Sequence, residues 1–168
     1  MSKINSCIYF VEGECEEAFI TSLKESPALI TPGKIKVLNV LTEDISKSRL
    51  ITITPGTAVV FVFDTDVPIT EKLKVNISRV EKYCTRSKLV FLPQVRSLED
   101  ELVRCTDITK ITDLTHSKSN SNFKSDFCKM SNRRVALTKH QLDVLKLWTT
   151  NPPEPFTFIP RNSNDIKK

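Results

Sequence analysis

Two groups of acidic residues, each directly after an apolar run, are where this chain can do chemistry. The first is Tyr9-Phe10-Val11-Glu12-Gly13-Glu14-Cys15-Glu16; the second is Val59-Val60-Phe61-Val62-Phe63-Asp64-Thr65-Asp66. Gathered carboxylates repel one another unless a cation sits between them, and hard oxygen donors suit Mg²⁺ or Mn²⁺. Residues i and i+2 of an extended chain point to the same side, so Asp64 and Asp66 can be aimed into one crevice. With Glu12 they offer oxygens for one or two ions, a set that stabilises attacking and leaving oxygens in phosphoryl transfer. Gly13 lets the backbone turn sharply or come close to a ligand. Glu16 falls in the first turn of the helix expected to follow and can point back to the same place. Acids also favour helix N-termini because of the macrodipole. Glu14 and Glu17 are read that way, and for Glu16 both readings stand. For Asp64 to Asp66 the plain alternative is an Asp-rich turn.

The elements that must position these groups follow from periodicity. Short apolar runs over Ile8–Val11, Thr57–Phe63 and Leu89–Leu92 predict buried parallel strands, and Ile35–Val40 alternates as a further strand. Helices are expected over Glu14–Lys24, Asp44–Leu50, Glu71–Cys84 and Leu98–Cys105, the last opened by Ser97 with Asp100 in the place of a capping-box acid. The alternation implies an α/β domain with a mostly parallel sheet, whose strand ends are where such proteins place ligands. A polar stretch, His116 to Asn122, leads into expected helices over Phe123–Met130 and Lys139–Trp148. After Asn151-Pro152-Pro153-Glu154-Pro155 the run Phe156–Ile159 is read as a short strand or a packed arm, and Arg161–Lys168 as a frayed tail. The expected organisation is one domain over residues 1–168, with a core at about 7–106, a basic helical extension at about 107–160 and the tail at 161–168.

In this order the motifs resemble the TOPRIM domain, a catalytic fold of topoisomerases, primases and certain nucleases, and within it the OLD-type nucleases. Val11-Glu12-Gly13-Glu14-Cys15-Glu16 resembles the first motif, Asp64-Thr65-Asp66 the second, Leu98-Glu99-Asp100-Glu101-Leu102 a later acidic segment, and Lys124 in Asn122-Phe123-Lys124-Ser125-Asp126-Phe127 a lysine further on. The resemblance spans about residues 7–130. It implies a Rossmann-like TOPRIM fold, Mg²⁺ or Mn²⁺ as cofactor, and cleavage of phosphodiester bonds in DNA or RNA. It makes Glu12, Asp64 and Asp66 metal ligands, lets Glu16 and Glu99 complete a second metal position, and has Lys124 stabilise charge on the reacting phosphate. OLD proteins join this domain to an ATPase. Here there is no phosphate-binding Gly-rich loop, and the chain has only 3 glycines. What remains is a small nuclease, or the nuclease half of a pair with a separate ATPase or sensor protein, a setting that for OLD-like nucleases is commonly anti-phage defence. Tyr9 and Tyr83 are the only tyrosines, which speaks against a self-contained topoisomerase.

Charge fits a nucleic-acid partner and a merely soluble basic surface equally. Residues 1–100 hold 13 Lys+Arg against 13 Asp+Glu, and residues 101–168 hold 12 against 7, so the whole net +5 lies in the last two-fifths. Lys129, Arg133, Arg134 and Lys139 are the candidates to track a phosphate backbone, with a solvated helix connection as the alternative. Acidic helix starts explain Glu99 and Glu101 equally through capping. The five cysteines are scattered, form no C-x-x-C pair and are expected to be free thiols in a reducing cytoplasm. No apolar stretch approaches a bilayer span, so no membrane role is expected. The competing class is a non-catalytic metal-binding or receiver-like regulatory module. Receivers place two adjacent acids after the first strand, where this chain has Glu12-Gly13.

Overall fold

The structure is a computed structural model and describes residues 3–168. Its centre is a four-stranded sheet, all parallel, made of β1 (Cys7–Val11), β2 (Gly33–Val37), β3 (Ala58–Asp64) and β4 (Leu89–Gln94) in the spatial order β2-β1-β3-β4. The chain is thus α/β, as the alternation predicted. Every residue of β1 and β3 is buried, which explains why both read as unbroken apolar runs rather than as alternation. Alternate residues serve two cores. Tyr9, Val11, Val60, Val62, Val90 and Leu92 face one side, while Phe10, Val59, Phe61, Phe63 and Phe91 face the other.

The first side is covered by α1 (Glu14–Lys24), α4 (Leu98–Cys105), α5 (Thr112–Thr115), α6 (Asn120–Lys129) and α7 (Arg133–Lys139), whose Phe19, Leu23, Leu102, Phe123, Phe127 and Leu137 pack together. The second is covered by α2 (Lys47–Ile51), α3 (Glu71–Tyr83) and the arm around Phe156, whose ring lies 5.8 Å from that of Phe63. From β1 the chain runs outward to β2, then returns across β1 to β3. The reversal lies between β1 and β3, and parallel sheets open a crevice at the carboxyl ends of such a pair.

Several boundaries differ from the pattern reading. The strand expected over Ile35–Val40 is Gly33–Val37. Its first residue must be glycine because a side chain there would strike the Cys7 carbonyl, and just past its end Asn39 Oδ1 accepts the Leu41 N–H and turns the chain. Helix α2 begins at Lys47 rather than Asp44, since Ser46 accepts the Arg49 N–H and caps it. Strand β4 continues through Pro93 to Gln94, which an edge strand tolerates. The helix expected over Lys139–Trp148 is absent. Helix α7 lies before it, and residues after His140 form turns in which Gln141 and Trp148 take left-handed backbone and Asp143 Oδ1 holds the Leu145 N–H. Phe156–Ile159 is the packed arm, not a strand.

The tail is not frayed. Asn162 receives the Phe91 N–H on Oδ1 and donates from Nδ2 to the Leu89 carbonyl, closing the outer edge of β4 as another strand would. Residues Ser163–Ile166 form a 3₁₀ turn with Ile166 buried, and Lys167 bridges to Ile30. Among the described residues no helix is long and apolar enough to cross a membrane.

Candidate active site

Glu12 follows the last residue of β1, and Asp64 is the last residue of β3, its neighbour. The Asp64 N–H donates to Glu12 Oε2 at 3.2 Å, so the strand tips at the reversal are joined through one carboxylate. Asp64 continues the Val60, Val62 parity, which turns its side chain toward α1 and α6. It is 6% exposed, and its Oδ1 has no hydrogen-bond partner. Glu16, one turn into α1, is 5% exposed. Its Oε2 would lie 3.3 Å from a Cβ at residue 13, so Gly13 leaves room for Glu16 to fold back over the strand ends.

These carboxylates, with Lys124, Cys15 and Cys128, line a cleft of about 620 Å³. Helix α6 forms its far wall and carries Lys124, whose Nζ is 3.7 Å from Glu99 Oε1 on α4. Four segments distant in sequence therefore meet: the β1–α1 junction, the end of β3 and the faces of α4 and α6. Cys15 and Cys128 sit on its floor with Sγ atoms 3.4 Å apart, and the Cys15 thiol also lies 3.4 Å from the Lys124 carbonyl it donates to.

The electrostatics are those of crowded acids. Burial first, then repulsion from Glu12, Glu16, Asp66 and Glu99, pushes Asp64 up to about 8. Burial raises Glu12; the Asp64 N–H and Lys124 oppose this, while Asp66 and Glu99 add to it. Burial also raises Glu16, with Glu12 and Glu99 adding and Lys124 opposing. Partial burial lowers Lys124, but Glu99, Glu16 and Asp64 outweigh it and hold the ammonium above its ordinary range. Lys124 is thus the cation that the cleft supplies from its own chain.

The donor set fits a hard divalent cation: carboxylate oxygens, an unpartnered buried Oδ1 on Asp64, and a surplus of negative charge. Among the described residues no three His, Cys, Asp or Glu groups are closed to ligand distance around a common point. The acids surround the cleft instead, as mutually repelling carboxylates do. Asp66 is exposed beyond the strand end, near enough to raise both Glu12 and Asp64.

The remaining charged and aromatic residues are divided between the cleft and other parts of the fold. Lys129 lines the cleft beside Lys124. The Arg133 guanidinium instead donates to the Phe127, Cys128 and Met130 carbonyls and caps α6, and Arg134 donates to the Ser22 carbonyl in the last turn of α1 and the Pro27 carbonyl beyond it. Lys139 lies in a separate hollow with Val135 and Pro27. Glu101 is fully buried, its Oε1 accepting the Trp148 N–H and its Oε2 pairing with Arg104, so it fastens the C-terminal turns to α4. His116 is exposed with left-handed backbone at the end of α5. Trp148 is a core anchor, 6.2 Å from Phe19. Gln94 and the thiol pair were not marked by sequence. A polar residue ending the β4 run was the available signal for Gln94; nothing in the spacing of Cys15 and Cys128 announces their meeting.

Comparison with protein-family models, with curated proteins and with solved structures gave no match.

Proposed function

We propose that this chain is a Mg²⁺- or Mn²⁺-dependent nuclease of TOPRIM type, cleaving phosphodiester bonds in DNA or RNA. The observation that carries this reading is the convergence of Glu12, Glu16 and Asp64 at the β1–β3 reversal, with Lys124 facing them from α6. The motif order that resembles OLD-type nucleases agrees with that placement.

In this reading Glu12, Asp64 and Asp66 hold the cation, with Glu16 and Glu99 available to a second. A divalent ion bound there supplies charge neutralisation at the phosphate and an acidified water. Around it, Glu12 ties the two strand tips, which keeps both carboxylates aimed at one volume. Lys124 is released from its long contact with Glu99 as a phosphate enters and holds a non-bridging oxygen. Its position over the acids lets it meet negative charge that develops during cleavage. Lys129, on the same wall, extends the positive track along the backbone. Arg133, Arg134 and Lys139 add long-range positive field. The proposed setting is cytoplasmic, in anti-phage defence, with a separate ATPase or sensor protein as partner.

The test is cleavage of plasmid DNA, linear DNA and RNA with Mg²⁺ or Mn²⁺, comparing wild type with Glu12→Ala and Asp64→Ala. Both variants are expected to keep the wild-type circular dichroism and lose metal-dependent cleavage. Full activity in both overturns the proposal.

A further inference from the structure

Gln94 is the last residue of β4 and the register partner of Asp64. It is fully buried, yet neither Nε2 nor Oε1 has a hydrogen-bond partner among the described residues. Register partners on neighbouring strands face the same side of a sheet. The preceding pairs Val60–Val90 and Val62–Leu92 both pack into the core beneath α1 and α4, so Gln94 lies beside Asp64 on that side. The neighbouring Asp64 Oδ1 is also buried and unpartnered. Three orphaned polar atoms at adjacent strand tips are thus enclosed under the cleft.

Leaving buried polar groups unpaired costs about 1–3 kcal/mol each, and an amide carries both a donor and an acceptor. An apolar side chain of the same shape would remove that cost. A carboxamide kept here therefore needs a partner, and the unpaired acceptor on the neighbouring strand tip is Asp64 Oδ1. One water bridges such a set when it has two to four polar partners.

We infer that Gln94 is the positioning residue for Asp64: its Nε2–H donates to a buried water that donates to Asp64 Oδ1, leaving Oδ2 aimed into the cleft. This rests on the reading of Asp64 as a metal ligand. Carboxylates that bind metal are held by outer hydrogen bonds, and losing such a partner typically weakens metal binding 10–100-fold. Gln94 would be that outer partner of the Asp64 carboxylate, while Glu12 holds the same residue through its backbone N–H.

The test uses Gln94→Met, which keeps volume and removes both polar atoms, and reads two quantities on the full chain: Mn²⁺ affinity by calorimetry and the melting temperature in EDTA. The expected result is an affinity lower by about 10-fold or more, with a lower melting temperature in EDTA because Asp64 Oδ1 loses its partner. A merely structural glutamine would show a lower melting temperature with unchanged affinity. Gln94→Asn, whose shorter amide leaves the water a donor, should recover part of the affinity, whereas Gln94→Leu should not. Wild-type affinity in Gln94→Met, with wild type binding Mn²⁺ and Asp64→Asn not, overturns this inference alone. No Mn²⁺ uptake by wild type overturns it together with the proposed function.

Discussion

Removing the Asp64 charge should stabilise the metal-free protein, and by an amount that depends on pH in a fixed direction. Burial and four neighbouring acids raise Asp64 from 3.8 to about 8. The folded state therefore binds a proton more readily than the unfolded chain. Its stabilising contribution is full below pH 3.8 and is lost as pH rises toward 8. At pH 7 the accumulated loss spans about three pH units at 1.36 kcal/mol each, on the order of 4 kcal/mol. Water entering the open cleft relaxes this, which makes the figure a ceiling. Asp64→Asn removes the loss while keeping the side-chain shape. At about 2–4 °C per kcal/mol for a chain of this size, the variant should melt above wild type in EDTA at pH 7 by at most about 8–16 °C. The gap should shrink as pH falls toward 4. Saturating Mn²⁺ should raise the wild type and leave the variant nearly unmoved. Differential scanning calorimetry from pH 4 to 8, with and without Mn²⁺, reads all three effects. A variant less stable than wild type in EDTA at pH 7, or a gap that widens on acidification, would refute the reasoning.

Lys124→Ala should lower kcat for nucleic-acid cleavage by at least about 10²-fold, as loss of a charge-stabilising donor does, with Mn²⁺ affinity unchanged or raised because a competing cation is gone; single-turnover kinetics and calorimetry separate the two. Glu101→Leu leaves the buried Trp148 backbone N–H without its acceptor, while the half-exposed Arg104 keeps the Val95 carbonyl, and should cost about 1–3 kcal/mol in urea unfolding. Truncation after residue 160 removes Asn162 and Ile166 and should lower the unfolding midpoint clearly, whereas a frayed tail would leave it in place. Lys129→Ala should reduce the salt dependence of nucleic-acid binding by roughly one unit of slope, while Arg133→Ala, whose guanidinium holds three α6 carbonyls, should lower the melting temperature more than it changes that slope.

The strands and the helices of the first hundred residues were legible because their signals are local. β1 and β3 are buried on both faces and read as plain apolar runs, α1 and α4 show their acids at the expected starts, and Ser97 caps α4. Of the acids at the cleft, Glu12 and Asp64 were legible for the same reason: each stands at the end of such a run. What escaped was what depends on tertiary partners. Residues 139–148 have helix-compatible composition, but Asp143 and the left-handed backbone at Gln141 and Trp148 direct them into turns that dock on Glu101. The polar tail looked solvated because Asn162 resembles any surface asparagine until its amide is seen replacing a strand along β4. Arg133 and Arg134 carry the charge of a phosphate clamp, yet their guanidinium groups cap helix ends, which charge counting cannot distinguish.

Anomalous diffraction from crystals grown with millimolar Mn²⁺ tests the central claim most directly. The account predicts a peak in the cleft with carboxylate oxygens of Glu12 and Asp64 at about 2.1 Å, and its loss in Asp64→Asn. A cleft without a peak, Lys124 alone answering the acids, would contradict it.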